Sequence, residues 1–161
     1  MPAGSHSTAL LCLGAAALTA ALAAEPLPSV SVNCSHGPLA LGPNTPLALV
    51  IGLDAAGSEA EPADWWLAAD TPFGLFYKGP GGGWAAATDL NEVRPFYQGP
   101  LVDLTPTEAL YVAALPPGSY RIYFGVDRVA NGLIDFDQLS FDAVEVIRPA
   151  QSRSRAKGKP K

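Results

Sequence analysis

The residues best placed to do chemistry are the acids of VDRVANGLIDFD, Val126 to Asp137. Asp127, Asp135 and Asp137 supply hard oxygens, and Asn131 and Gly132 sit between them as turn residues, the mixture a calcium loop uses. Laid on an EF-hand template with Asp127 first, the loop has Val129 at the third position and Gln138 where a bidentate glutamate belongs. No flanking helices accompany it, so an EF-hand is excluded. Two readings stay open. One is a looser Ca2+ site with Asp127, Asn131, Asp135 and Asp137 as ligands, at the weak affinity of extracellular sites. The other is a hairpin turn set by Asn131-Gly132, with the acids facing water. Close carboxylates repel one another unless something neutralises them, which favours a cation.

Other chemistry finds little to work with. Beyond the apolar leader there is one histidine, His36, and one cysteine, Cys34, too few for a zinc site. No Gly-x-Ser-x-Gly or Cys-His arrangement accompanies them. Asp64, Asp70 and Asp103 carry no spacing that singles out a carboxylate pair. The glycine-rich stretch GPGGGWAAATDLN (79–91) lacks the Lys-Ser/Thr of a phosphate loop and reads as a flexible connection. The chain therefore reads as a non-enzyme. Binding is better served by its tryptophans, Trp65, Trp66 and Trp84. Adjacent residues on a strand point to opposite faces, so one of Trp65 and Trp66 fills the core and the other faces outward. The outward ring would stack on sugars, anchor a docking patch, or be covered by the glycine-rich loop.

The chain ends differ in character from the middle. Residues 9 to 24, ALLCLGAAALTAALAA, are uncharged and too short for a comfortable membrane span. With an A-x-A site at Ala21 and Ala23, residues 1–24 read as a signal peptide, which implies a periplasmic or secreted protein. Residues 149–161 are basic, lack apolar anchors and read as a disordered tail able to touch an anionic surface by charge alone. The body between, residues 25–148, reads as one domain. All fifteen acids lie in residues 25 to 147 against four bases, a balance of −11. Such a domain is not a nucleic-acid binder; a protein or glycan outside the cytoplasm is the expected partner. Cleavage would leave Cys34 alone, expected as a buried, inert thiol in the strand SVSVNCS.

These residues must be held by strands. No sustained 3.6-residue period appears after the leader. SVSVNC (29–34), PLALVIGL (46–53), WWLAA (65–69), FGLFYK (73–78), ALYVAAL (109–115), YRIYFGV (120–126) and LSFDAVEVI (139–147) all read as strands. Within YRIYFGV, Tyr120, Ile122, Phe124 and Val126 share one face. In LSFDAVEVI two sets, Leu139-Phe141-Ala143 and Val144-Val146, compete for the core. Gly and Pro number 32 of 161 residues, above the usual share, so turns are many. LPPGSY (115–120) has the Leu, Pro-Gly and Tyr of a tyrosine corner, in which the phenol hydroxyl ties a strand start to the loop before it. The expected fold is all-β, an antiparallel two-sheet sandwich of immunoglobulin-like or fibronectin-III-like type.

ADWWLAADTPFG (63–74), YQGPLVDL (97–104), LPPGSYRIYFGVD (115–127) and NGLID (131–135) together resemble C-terminal segments of exported bacterial proteins of unassigned function. The resemblance covers about residues 60 to 147. It implies a fold and an address outside the cytoplasm, and no reaction.

Overall fold

The computed structural model describes residues 24–150; the leader and tail readings fall almost wholly outside them. The chain forms ten strands: β1 (Leu27–Val32), β2 (Leu39–Ala40), β3 (Leu47–Asp54), β4 (Pro62–Thr71), β5 (Gly74–Lys78), β6 (Trp84–Ala87), β7 (Tyr97–Pro100), β8 (Leu104–Val112), β9 (Gly118–Asp127) and β10 (Leu139–Arg148). They build two sheets. The small one runs β1-β3-β8; the large one runs β2-β10-β9-β4-β5-β6, with β7 beside the first half of β4. Among the described residues no helix is long and apolar enough to cross a membrane.

The core lies between the sheets and follows from strand alternation. Val30 and Val32 of β1 and Leu47, Leu49, Ile51 and Leu53 of β3 face inward from the small sheet. Trp65, Leu67 and Ala69 of β4, Tyr120 to Val126 in steps of two on β9, and Val144 and Val146 of β10 face them. Pairing of Val144 with Ile122 and of Val146 with Tyr120 fixes the β10 register. It turns Leu139, Phe141 and Ala143 away from the core. Val144 and Val146 thus take the core, and Asp142 on the same face accepts from Val30 N (2.8 Å).

The Tyr120 hydroxyl donates to the Pro116 carbonyl (2.8 Å), the bond a tyrosine corner requires. Burial pushes its phenol pKa up, against a smaller opposite pull from Arg148. Gly118 precedes it at φ 152, packed so tightly on Pro72 that a side chain there would overlap the ring.

Several sequence expectations need correction. Cys34 is exposed rather than buried. β1 ends at Val32, and Asn33 and Cys34 both take positive φ (49 and 65) in a tight turn closed by Val32 and Ser35. Asparagine tolerates that conformation, and the Asn33 side chain fixes the turn by bonding Ala48 N and Pro46 O. The strand expected at 109–115 is β8, beginning earlier at Leu104 and stopping at Val112, ahead of Pro116 and Pro117. Its first half, LTPTE, is largely exposed and polar, so it carries no apolar alternation. The connection 79–91 contains β6, paired with β5, and a short 3-10 turn at Leu90–Glu92.

Candidate functional site

The outward face of the large sheet presents its residues in cross-strand rows. Asp64, on β4, lies beside Asp127 of β9; Trp66 lies beside Gly125, which lies beside Phe141; Ala68 lies beside Tyr123. The loop joining β9 to β10, residues 128–138, folds back over this face.

Asp64 and Asp127 hold that loop down, and both are fully buried. Asp127 accepts from Val129 N (2.9 Å) with one oxygen and from Asp135 N (2.6 Å) with the other. Asp64 accepts from Gln98 Nε2 (2.7 Å) and from Gly132 N (2.6 Å). Gly132 takes φ 81, which turns its N–H toward the sheet at no steric cost. Asn131 completes the loop by donating to Asp135 (2.8 Å) and accepting from Leu133 N (2.7 Å). Arg128 reaches sideways to Glu61 (3.0 Å).

Of the four ligands expected for Ca2+, the fold therefore brings Asp127, Asn131 and Asp135 together, and Asp64 joins them from β4. Asp137 makes no hydrogen bond with the other three. The carboxylates face N–H donors rather than one another, and among the described residues no three His, Cys, Asp or Glu side chains gather as a metal set. The repulsion that favours a cation in the sequence is instead met by amides. Burial pushes the Asp127 carboxyl above its usual value; the two backbone N–H groups pull it back, and the charges of Asp135 and Asp64 push it up again. Sequence reasoning passed over Asp64. The available signal was an acid on an otherwise apolar strand beside two tryptophans.

The tryptophans separate. Trp65 sits in the core against Tyr97 (centroids 5.7 Å, edge-on) and Phe124 (6.1 Å). Trp84 is half-buried against the same core. Trp66 faces outward, as alternation requires, yet is only 5 % exposed. Leu90, from the 79–91 stretch, is among its neighbours. Trp66 lines a groove of about 420 Å³, walled by Leu90 and Val93 on one side and by Ile134 and Phe136 of the tied-down loop on the other. Phe141 and Tyr123 complete the aromatic lining. A side chain at Gly125 would press on Ser140 O (2.8 Å) and Phe141 Cβ (2.9 Å), so a glycine keeps the strands close and the groove open. Leu90, Phe136 and Phe141 are 50, 67 and 58 % exposed. The arrangement offers apolar contact area and almost no polar groups.

No protein-family model matches the chain, and no curated protein matches it.

Asp127→Asn sets an amide N–H2 against a backbone donor and is expected to cost about 1–3 kcal/mol in denaturant unfolding. Because the folded pKa lies above the unfolded 3.8, this carboxyl's titration favours folding fully below that value. The contribution is lost as pH rises through the folded pKa. The wild-type advantage over Asp127→Asn should therefore shrink as pH is raised across that window. A second measurement concerns the ion: thermal midpoints in EGTA and in millimolar calcium should coincide. An ion saturating its site 100-fold over Kd would add about 2.7 kcal/mol and move the midpoint by several degrees.

Proposed function

We propose that this chain is an exported, non-catalytic binding module with an immunoglobulin- or fibronectin-III-like sandwich, docking a protein partner in the groove around Trp66. The observation that carries the reading is the groove itself. Its volume falls in the range of about 300–1,000 Å³ typical of ligand sites, and its walls expose apolar side chains that a monomer gains nothing by exposing. The leader-like 9–24 segment and the resemblance to exported proteins support the address. The tyrosine corner supports the sandwich type.

The partner's chemistry follows from charge. Asp70 lines the groove, and Asp89 and Asp137 adjoin its Leu90 and Phe136 walls, in a body whose balance is −11. The best occupant is a protein segment with aromatic or aliphatic anchors flanked by lysine or arginine. Glycan recognition fares worse, because no tryptophan is exposed as a stacking platform. Among the lining side chains only Asp70, Tyr123 and the buried Trp66 carry polar atoms. A sugar stripped of water would find few replacements there. The basic tail is free in this scheme to hold the domain to an anionic surface.

Panning a random peptide library against the protein and against a Phe136→Asp/Phe141→Ser variant tests the reading. Both positions are exposed, so each change should cost about 0.5 kcal/mol or less. Peptides with apolar anchors and basic flanks should be enriched by the wild type and lost with the variant. Equal enrichment by both proteins, or retention on polysaccharide that depends on Phe136 and Phe141, would overturn it.

A further inference from the structure

A second apolar opening lies between the sheets, independent of the outer groove. The small sheet stops at β8, whereas the large sheet continues through β5 to β6. The inner faces of β5 and β6 are therefore only half covered. Phe76 and Trp84 meet Leu110 and Val112 of β8 across a slot of about 230 Å³, which Leu47 and Ile122 also line. Its polar lining groups are Thr71 and Tyr120, and the Tyr120 hydroxyl is committed to Pro116.

One charge stands beside this slot. Lys78 lies on β5 two residues beyond Phe76, so alternation gives both the same face, and its cross-strand partner is Trp84. Its Nζ reaches the Ala109 carbonyl of β8 (3.3 Å), the residue before Leu110. Lys78 is the one lysine among the described residues. The ion pairs found there, Arg121–Glu145 and Arg128–Glu61, do not use it. A single bond to a carbonyl leaves ammonium protons for another acceptor.

We infer that the slot binds the alkyl chain of a medium-length carboxylate or similar anionic amphiphile, with the methylenes between Trp84 and Leu110 and the anionic head on Lys78. An apolar cavity of roughly 150 Å³ takes up benzene, so this slot has room for a longer chain. Sugars and peptide backbone would enter it without hydrogen-bond partners. A neutral hydrocarbon would fill the slot but make no use of the ammonium.

Titrating the protein with decanoate and with decanol, followed by amide NMR shifts, tests the assignment. Shifts should cluster on β5, β6 and β8, with decanoate bound roughly fivefold more tightly than decanol. Lys78→Met should erase that preference and Lys78→Arg retain it. Val112→Phe, which narrows the slot, should weaken both ligands. Co-sedimentation with anionic phospholipid vesicles that falls in Lys78→Met relative to the wild type would make the chain a membrane lipid's; sedimentation equal in both proteins, as the basic tail alone would give, alongside decanoate binding would make the ligand a free acid. The inference is overturned by no shifts at all, by shifts centred on Trp66 and Phe141, or by a decanoate preference that survives in Lys78→Met.

Discussion

Two buried carboxylates organise the outer face of the large sheet. Asp64 and Asp127 stand side by side on neighbouring strands, and burying such a pair is costly unless hydrogen bonds to the charged oxygens repay it. Part of the repayment comes from the loop that follows β9. Gly132, Val129 and Asp135 each turn a backbone N–H onto these oxygens. The eleven residues from Arg128 to Gln138 are thereby pinned flat across the sheet. Everything else on that face depends on this. Ile134 and Phe136 become the wall of a groove only because the residues on either side of them are anchored. Trp66, one strand position along from Asp64's neighbour Trp65, is buried by what the anchored loop brings over it.

The two faces of the large sheet thus follow different rules. The inner face is an aliphatic and aromatic core, completed at one end by the tyrosine corner. The outer face is a polar clamp at one end and an apolar groove in the middle. Beyond these lies the charged row Asp70-Arg121-Glu145, with the Arg121 guanidinium 5.6 Å from the Tyr123 ring centre. Strand edges are guarded in the same economical way. The outward N–H and C=O of Val30 on β1 are taken by Asp142 and by His36 Nδ1, which donates to the carbonyl (3.0 Å). On β8, Pro106, irregular pairing around Ala109 and the reach of Lys78 discourage another strand from adding on.

Much of this was legible in the sequence, and the failures have physical causes. All seven stretches with alternating apolar residues contain strand, although 29–34 stops at Val32 and 109–115 at Val112, and LPPGSY makes the bond its pattern implies. The strands that escaped notice, β2, β6 and β7, are two to four residues long, too short to show a period. Cys34 was misplaced because SVSVNC continues an alternation that the positive-φ turn at Asn33 interrupts. The acidic loop stands out in the sequence, where a turn and a cation site both stay open. Repulsion among its acids is local information, whereas the amides that relieve it, and the partner Asp64 68 residues away from Gly132, belong to the tertiary fold. Alternation splits Trp65 from Trp66 but leaves open which one faces outward; the fold turns Trp66 out, beside Leu90 of the 79–91 stretch and beside residues 134–136, whose approach spacing does not show.

Native-state hydrogen exchange of the Gly132 and Asp135 amides probes the clamp most directly. If buried carboxylates hold the loop, these two amides should exchange as slowly as interior strand amides such as that of Phe124, although both lie in a loop. Exchange as fast as that of a solvated turn would mean that Asp64 and Asp127 do not bind the loop in solution, and the groove wall built on it would go with them.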